Sequence, residues 1–489
     1  MRVSAVLSAL DARHRRAARS PLLATAEGAV FSTADLCERI ERWGELLERH
    51  SARVVATRLD NGPDWLALDL AIRARAAVHV PIPTFFSPAQ AAHALAESGA
   101  DLAVEAGGAP AQVSRGVDDY QIRALPSPRI TLPAATACIT YTSGTTGQPK
   151  GVCLDATTLE TVAASLLAAT AAVAPRVHLC ALPLATLLEQ VAGLYAPILS
   201  DAVLAIPALG ELGWNGSGGL DIPRFMAALA RYRPQSVILV PQMLAGMVQA
   251  LEAGAPRPDS LRFIAVGGAR VGAGLLARAW ALGLPVYEGY GLSECASVVC
   301  LNRPGRRRSD TVGPPLDHAA VTISPDGEVL VGGPRMLGYV GRERPAAGAW
   351  ATGDLGTLDA EGCLRIQGRR RNVFITAYGR NVSPEWVEAE LLQHAAIAQA
   401  AVYGEARPWN VAVIVPARPD LAASAIDRAV EAVNAGLPDY ARIGAWIRAA
   451  SHFHAGNGLA TANGRPCRAP IWQRHAAELN RLYESATIS

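Results

Sequence analysis

The chain has 489 residues, half of them hydrophobic, and its 45 basic and 43 acidic residues nearly cancel. This length supports several domains with large cores. The balanced charge excludes a disordered chain and gives no reason to expect nucleic acid as the main partner. The longest apolar stretch, 162–174, is too short to cross a bilayer, and residues 1–10 lack a signal-peptide pattern. We therefore predict a soluble cytoplasmic protein without a membrane span.

Between residues 50 and 345, short runs of β-branched residues alternate with stretches rich in alanine and leucine. Strand–helix pairs are predicted at 53–58 and 65–76, at 237–240 and 243–253, and at 261–266 and 273–282. Strands that alternate with helices in this way favour parallel sheets covered by helices. The sequence thus predicts an α/β fold for the larger part of the chain.

The pattern changes after residue 320. Turn signals such as Pro325-Asp326-Gly327 separate shorter strands over 321–337, which predicts a small antiparallel β section. A strand at 363–367, helices at 385–394 and 422–435, and strands at 400–403 and 411–415 follow. We place a domain boundary near residue 370. The prediction is a large N-terminal domain over residues 1–370 and a small, mobile α+β domain over residues 371–489.

The cysteine pattern favours reduced structural thiols. The eight cysteines are Cys37, Cys138, Cys153, Cys180, Cys295, Cys300, Cys363 and Cys467. No two have the C-x-x-C spacing of common zinc and redox motifs, and the ten histidines form no ligand-spaced cluster with them. On this basis the sequence predicts no zinc site.

Lys150 is the only lysine among the 45 basic residues, and all the others are arginine. The composition indicates a coding background that exchanges lysine for arginine wherever charge alone suffices. A lysine that survives this exchange indicates a pocket too narrow for the broad guanidinium group. Position 150 is therefore the first candidate for a binding or catalytic residue.

The segment around Lys150 combines the features of an anion-binding loop. Gly144, Gly147 and Gly151 permit a tight turn and close approach of a ligand to the backbone. Hydroxyl donors are supplied by Thr140, Thr142, Ser143, Thr145 and Thr146. Together with the lysine charge, these groups predict a phosphate cradle, although the segment is not a Walker A motif. The alternative is a flexible surface connection.

Residues 141–151, Tyr-Thr-Ser-Gly-Thr-Thr-Gly-Gln-Pro-Lys-Gly, resemble the signature of the adenylate-forming superfamily. This superfamily includes acyl-CoA synthetases, adenylation domains of nonribosomal peptide synthetases and beetle luciferases. Further motifs that resemble the family's follow in its order: Val266-Gly267-Gly268-Ala269, Tyr290-Gly291-Leu292-Ser293-Glu294, Thr352-Gly353-Asp354, Gly368-Arg369, residues 377–388 and Asn463-Gly464-Arg465-Pro466-Cys467-Arg468. The resemblance covers nearly the whole chain.

The resemblance implies a nucleotide site. Its residues would be Thr142, Ser143, Gly144, Thr145, Thr146, Gly147 and Lys150 in the loop, and Gly268, Ala269, Tyr290, Gly291, Ser293, Asp354 and Arg369 elsewhere. Within this set, Tyr290 would lie against the adenine and Asp354 would hold the ribose hydroxyls. Arg369 would lie near ribose and phosphate. Arg371 falls at the family's hinge position.

The implied activity is ATP- and magnesium-dependent activation of an acid as its acyl adenylate, followed by transfer to a thiol. The acid would be a fatty or aryl carboxylic acid, and the thiol would be CoA or the phosphopantetheine of a carrier protein. Because a carboxylate and ATP repel each other, the reaction needs positive charge at the site. The expected catalytic residues are Lys150, Glu294 as the magnesium ligand, and Arg465.

Arg465 departs from the family's pattern, which has a lysine at this position. One interpretation is that arginine keeps the charge and still contacts carboxylate or phosphate. In the other, adenylation is altered. The chain would then activate an unusual acid such as nitrite, or would be a nucleotide-binding protein that serves a partner.

A second departure is at Ala185 and Thr186, where many relatives have an aromatic residue or a histidine. These smaller side chains indicate either a wider entrance to the acyl pocket or a packed helix start with no role in selectivity. Both interpretations remain open on sequence grounds.

Overall fold

The computed structural model describes residues 4–25, 30–107, 119–126, 130–142, 149–214, 219–342, 345–461 and 464–484. The α-helices in this part of the chain are α1 (Ala5–Ala17), α2 (Thr33–Arg49), α3 (Pro63–Ala74), α4 (Pro88–Ser98), α5 (Ala156–Thr170), α6 (Ala196–Leu199), α7 (Ile222–Tyr232), α8 (Pro241–Glu252), α9 (Ala273–Ala281), α10 (Pro384–Leu391), α11 (Ala423–Gly436) and α12 (Arg468–Glu484). None of the described helices has the length and apolar content needed to cross a membrane.

The strands of the first half of the chain are β1 (Pro21–Ala24), β2 (Val30–Ser32), β3 (Val54–Arg58), β4 (Val78–Pro81), β5 (Leu102–Ala106), β6 (Tyr120–Ala124), β7 (Thr136–Thr142), β8 (Lys150–Asp155), β9 (Val177–Leu179), β10 (Val203–Ala205) and β11 (Ser236–Leu239). The remaining strands are β12 (Phe263–Val266), β13 (Val286–Leu292), β14 (Ser297–Leu301), β15 (Ala320–Ile323), β16 (Glu328–Gly332), β17 (Gly338–Tyr339), β18 (Trp350–Leu358), β19 (Leu364–Arg369), β20 (Phe374–Ile375), β21 (Asn381–Val382), β22 (Ile397–Tyr403), β23 (Asn410–Pro416) and β24 (Ile443–Arg448).

Local sequence signals start several of these helices. Ser32 and Ser87 each accept a hydrogen bond from the backbone of the third helical residue, and Asp35 and Gln90 complete the two capping boxes. Such caps satisfy backbone N–H groups that have no partner within the helix. They explain why α2 and α4 begin where they do.

Two large sheets form the N-terminal region. The first has the strand order β14-β13-β12-β11-β9-β10-β1-β2, and the second has the order β17-β8-β7-β4-β3-β5-β6. The central strands pair in parallel, as predicted. The edges differ, because β2, β6, β8, β14 and β17 run antiparallel to their neighbours. Successive strands such as β13 and β14 have short connections, which allow antiparallel pairing and cannot carry a parallel crossover.

The predicted antiparallel section is a four-stranded sheet with the order β15-β16-β18-β19. Strand β18 is central in this sheet and carries the Thr352-Gly353-Asp354 motif. Strand β19 ends at Arg369, directly before the basic segment. The sheet therefore holds Asp354 and Arg369 side by side, and these two residues are paired in its register.

The last 119 residues of the chain contain an apolar core of their own. Strands β22, β23 and β24 form one sheet, and two apolar clusters drawn entirely from residues after 371 cover its faces. Val387, Ile414 and Ile426 belong to one cluster, and Val413 and Ile471 belong to the other. A separate core is what an α+β domain needs in order to move as a unit. The boundary at residue 370 stays a prediction.

Candidate active site

A cavity of about 800 Å³ gathers most of the described candidate residues. The candidates in its wall are Thr142, Lys150, Gly268, Tyr290, Gly291, Ser293, Glu294, Arg369 and Arg465. Asp354 contacts two of these residues, whereas Ala269 is exposed and is not in the cavity wall. Ser143, Gly144, Thr145, Thr146 and Gly147 lie outside the described residues. Segments more than 300 positions apart thus meet at one cavity.

A hairpin positions the only lysine. Thr142 ends β7 and Lys150 begins β8, and the two residues face each other in the antiparallel register. The candidate anion loop is therefore the connection between two paired strands. Because the sheet fixes Thr142 and Lys150, and both lie in the cavity wall, the two residues that flank this connection border the same space.

A sharp turn places Glu294 in the cavity wall. This short 3₁₀ turn, Ser293–Cys295, follows directly after β13. Gly291 makes this turn possible, because a Cβ at this position would lie 1.7 Å from the Ser297 carbonyl oxygen. Any side chain at residue 291 would displace the two strands that carry the site.

Tyr339 lies near both Glu294 and Lys150, and no sequence motif indicated a role for it. Its hydroxyl donates a 2.8 Å hydrogen bond to Glu294 Oε1, and Lys150 Nζ lies 5.8 Å from the centre of its ring. Burial and the neighbouring carboxylate raise the pKa of Tyr339, which keeps the hydroxyl a neutral donor. Tyr339 reaches the site because β17 pairs with β8, far away in sequence, and no local signal indicates that pairing.

Asp354 is the most enclosed of the charged candidates, with 3% of its surface exposed. It accepts a 2.6 Å hydrogen bond from the Tyr290 hydroxyl and forms a 2.7 Å ion pair with Arg369 Nε. Its own backbone N–H donates to Thr352 Oγ1 at 3.0 Å. Burial raises the pKa of Asp354, while Arg369 and Tyr290 act in the opposite direction.

The C-terminal motif, residues 463–468, also contributes to this site, although it belongs to the part of the chain after residue 371. Arg465 follows Gly464, whose φ of +74° turns the chain, and its backbone pairs with Thr461 across that turn. The guanidinium donates a 2.7 Å hydrogen bond to the Gly268 carbonyl oxygen. Arg371, the hinge candidate, also lies in the cavity wall. Two arginines from the C-terminal part of the chain therefore border the same space as Lys150.

The cavity wall also has an apolar part, which we call the apolar arm. It includes Leu166, Leu167 and Ala171 from the region of α5, and Ala192 and Ala196. Both Ala185 and Thr186 also lie in the cavity wall. These two positions therefore border the space available to a bound molecule.

The charged end suits an anionic ligand, and the apolar arm suits a hydrophobic one. Lys150, Arg369 and Arg465 supply positive charge, while glycine backbone at residues 268 and 291 permits close approach. Glu294 adds a carboxylate, which is a typical ligand for a hard divalent cation. The arrangement can bind a phosphate-containing molecule beside an apolar or aromatic one.

Two family models match this chain. The model described as AMP-binding enzyme matches residues 10–340, and the model described as AMP-binding enzyme C-terminal domain matches residues 371–487.

Relatives of known name align over most of the chain. The long-chain-fatty-acid–CoA ligase FadD15 of Mycobacterium bovis is 29% identical over 440 residues, covering 72% of this chain and 71% of that protein. A feruloyl-CoA synthase of Amycolatopsis sp is 28% identical over 445 residues, covering 82% of this chain and 87% of that protein. Among solved structures, the anthranilate CoA ligase AuaEII in complex with anthranoyl-AMP has a TM-score of 0.80 at 19% identity. That match covers 98% of both chains and shows a common fold.

Proposed function

This chain belongs to the adenylate-forming enzymes of the AMP-binding family, and from this membership we propose that it is an AMP-forming acid–thiol ligase. In the first step, the carboxylate of an acid attacks the α-phosphorus of ATP. This forms an acyl adenylate and releases pyrophosphate. In the second step, a thiol attacks the acyl carbonyl carbon, a thioester forms, and AMP leaves with the electron pair of the broken bond.

One observation carries this proposal. A single cavity joins a cation-rich end, with Lys150, Arg369 and Arg465, to an apolar arm bordered by Leu166 and Ala192. An acid whose carboxylate lies at the cation-rich end would place its hydrocarbon part in the arm. The acid and ATP would then be held with their charged ends together. This favours attack of the carboxylate on the α-phosphorus over dissociation of the two molecules.

We assign the nucleotide-binding roles to the residues that carry the family's motifs. Asp354 accepts from the ribose hydroxyls, since an aspartate carboxylate can accept from two adjacent hydroxyl groups. Tyr290 is oriented by its hydrogen bond to Asp354 and lies against the adenine. The remaining proposed contacts are Thr142, Ser143, Gly144, Thr145, Thr146, Gly147, Gly268, Ala269, Gly291, Ser293 and Arg369.

Lys150 and Arg465 are the proposed charge-stabilising residues of the first step. Negative charge from the carboxylate and the leaving pyrophosphate develops in the transition state. Positive charge beside it lowers the barrier because it stabilises that negative charge as it forms. The proposal therefore takes Arg465 as the working replacement for the family's lysine.

Glu294 fits the magnesium ion that accompanies ATP. Its carboxylate lies in the cavity wall and is oriented by the Tyr339 hydroxyl. Bound magnesium supplies positive charge that neutralises phosphate oxygens. We expect Glu294→Gln to raise the magnesium concentration needed for half-maximal rate, because a neutral oxygen is a weaker ligand for this ion. An unchanged magnesium requirement in this variant would place the ion elsewhere.

A fatty or aryl carboxylic acid is the proposed substrate class. One relative acts on a long-chain fatty acid and another on an aromatic acid, and the arm of the cavity has apolar walls that suit both. CoA is the favoured thiol because both relatives are CoA ligases by name. A carrier-protein phosphopantetheine is the alternative acceptor, and we propose that residues 371–489 move as a unit between the two steps.

An acid panel in ATP–pyrophosphate exchange tests the proposal. We expect exchange with one class of fatty or aryl acids, and thioester formation when CoA is added. Exchange with nitrite alone would support the unusual-acid alternative. ATP binding without exchange for any acid would instead indicate a nucleotide-binding protein that has lost adenylation.

A further inference from the structure

Three metal-ligating side chains meet in the N-terminal region, apart from the charged residues described above. His178, Cys180 and Glu189 each offer one ligand atom, and these atoms all lie within 4.8 Å of one another. All three side chains are buried. His178 also lies in the wall of the cavity. None of the three residues belongs to the proposed nucleotide or magnesium contacts.

The local structure explains how they converge. His178 is the middle residue of β9, and the backbone N–H of Cys180 continues the strand ladder by donating to Ala205. Residues two apart on a strand point to the same face. Glu189 is the first residue of a π-helical turn, Glu189–Tyr195. Turns of this kind are rare in proteins, and those that occur are often found at functional sites.

His178 has the hydrogen bonding of a metal ligand. Its Nδ1 lies 2.9 Å from Ser236 Oγ, and Ser236 is its direct neighbour on β11. This contact can hold the proton on Nδ1 and leave the lone pair on Nε2, as in many metal-binding histidines. Nε2 is buried, has no hydrogen-bond partner among the described residues, and lies 3.7 Å from Glu189 Oε1.

Glu189 is fully buried, with 0% of its surface exposed. Neither of its carboxylate oxygens accepts a hydrogen bond of ordinary geometry from a residue in the described part of the chain. Gly193 makes room for the carboxylate, since a Cβ at this position would lie 2.5 Å from Glu189 Oε1. Burial of a charged carboxylate is unfavourable unless the charge is paired, and a bound cation would pair it more closely than His178 does at 3.7 Å.

We propose that His178 Nε2, Cys180 Sγ and the Glu189 carboxylate bind one zinc ion. Nitrogen, thiolate sulfur and carboxylate oxygen are the ligands that zinc prefers, whereas magnesium and calcium take oxygen ligands. Binding deprotonates the Cys180 thiol, and the proton passes to solvent. Three protein ligands are also the number found in zinc sites that keep one coordination position open.

The cavity provides a route for the ion, because His178 lies in its wall. The site goes beyond the proposed ligase function and does not depend on it. The sequence predicted no zinc site, because no two cysteines have C-x-x-C spacing and the histidines form no ligand-spaced cluster with them. Here the third ligand is a glutamate nine residues after the cysteine, and the chain folds back between them before the π-helical turn begins at Glu189.

Metal content tests the proposal without any activity measurement. Protein expressed with added zinc is dialysed against a weak chelator and its zinc is measured by mass spectrometry. We expect about one zinc ion per chain in wild type and a loss of at least about tenfold in Cys180→Ala and Glu189→Gln. Cys153→Ala is the matched control, because Cys153 is equally buried and lies outside the cluster, so its zinc content should equal that of wild type.

Cobalt substitution gives a second readout, and its measurement on wild type does not depend on the folding of any variant. Cobalt added to metal-free wild type and to Cys153→Ala should produce a thiolate-to-cobalt charge-transfer band, and zinc should abolish it. Cys180→Ala, with folding checked by circular dichroism, should lack the band. Wild type with neither bound zinc nor a cobalt band overturns the proposal, and so does zinc binding that persists in folded Cys180→Ala.

Discussion

The residues around Asp354, where we propose that the ribose binds, and the loop that carries Arg465 are stabilised in different ways. Asp354 is buried, its carboxylate is held by Tyr290 and Arg369, and its backbone N–H donates to the Thr352 hydroxyl. Arg465 is exposed, and within the described residues its guanidinium makes one hydrogen bond, to Gly268. The residues around Asp354 are thus preorganised by several mutually supporting contacts, whereas the Arg465 guanidinium has a single hydrogen bond. A protein that carries out two reactions at one site needs both properties.

The Lys150→Ala variant should show the largest effect, because Lys150 supplies positive charge at the cation-rich end of the cavity. We expect a loss of at least about 100-fold in adenylate formation, on the scale of removing one preorganised charge-stabilising donor. Lys150→Arg should also be impaired, since a broad guanidinium does not replace a compact ammonium in a narrow pocket. The measurement is ATP–pyrophosphate exchange at saturating ATP and acid.

Arg342 provides a matched control for Lys150. Its guanidinium lies 5.8 Å from the same Tyr339 ring, yet it is exposed and is not part of the cavity wall. Arg342→Ala should therefore keep the wild-type exchange rate. Wild-type activity in Lys150→Arg would contradict the argument that position 150 requires lysine.

The Arg465→Ala variant tests the C-terminal loop separately from the residues around Lys150 and Asp354. We expect adenylate formation to slow by about 10- to 100-fold, the scale of a hydrogen bond to a charged group, while transfer from supplied adenylate persists. Arg465→Lys should keep or raise the rate of the first step. Single-turnover measurement of both half-reactions distinguishes these effects, with Arg428→Ala on the exposed face of α11 as the control. Unchanged adenylate formation in Arg465→Ala would remove Arg465 from that step.

Asp354→Asn should weaken ATP binding by about tenfold, because the neutral amide is a poorer acceptor for the ribose hydroxyls and leaves Arg369 without its charged partner. Asp326→Asn is the exposed counterpart, since Asp326 pairs with Arg370 at 2.6 Å with both side chains about half exposed. It should change ATP affinity little, as surface ion pairs contribute at most about 1 kcal/mol. Titration calorimetry with ATP measures both variants. Equal affinities in wild type and Asp354→Asn would place the ribose elsewhere.

Glu288 should affect stability rather than turnover. It lies on β13, two residues before Tyr290, and burial raises its pKa to about 7. A carboxyl whose pKa is higher in the folded than in the unfolded state stabilises the fold fully below about pH 4.5. That stabilisation is lost as the pH rises through about 7. Between pH 5 and 8 the loss is up to about 3 kcal/mol.

Glutamine is uncharged over this whole range. The melting temperature of Glu288→Gln, relative to wild type, should therefore be higher at pH 8 than at pH 5, while ATP–pyrophosphate exchange at pH 7 stays within about twofold. Calorimetry at the two pH values checks this expectation. Parallel profiles for both proteins would show that Glu288 does not titrate in this interval.

Much of the fold was predictable because its signals are local. Alternation of strands and helices indicated the α/β sheets, and turn residues such as Asp326 and Gly327 indicated the antiparallel section that follows. The antiparallel edges of the large sheets were not predicted. Strand direction there depends on which strand becomes a neighbour, and the hydrophobic pattern of one strand does not contain that information.

The sequence by itself determined the family and predicted the nucleotide motifs and the importance of position 150, because each rests on residue types in a fixed order along the chain. Only the tertiary structure decided that Tyr339 joins Lys150 to Glu294, and that Glu189 comes back to His178 and Cys180. These groups meet through strand pairing and through the path of the chain between β9 and the π-helical turn. The physical reason is that proximity across a fold depends on how distant elements pack, whereas a linear motif records only neighbours along the chain.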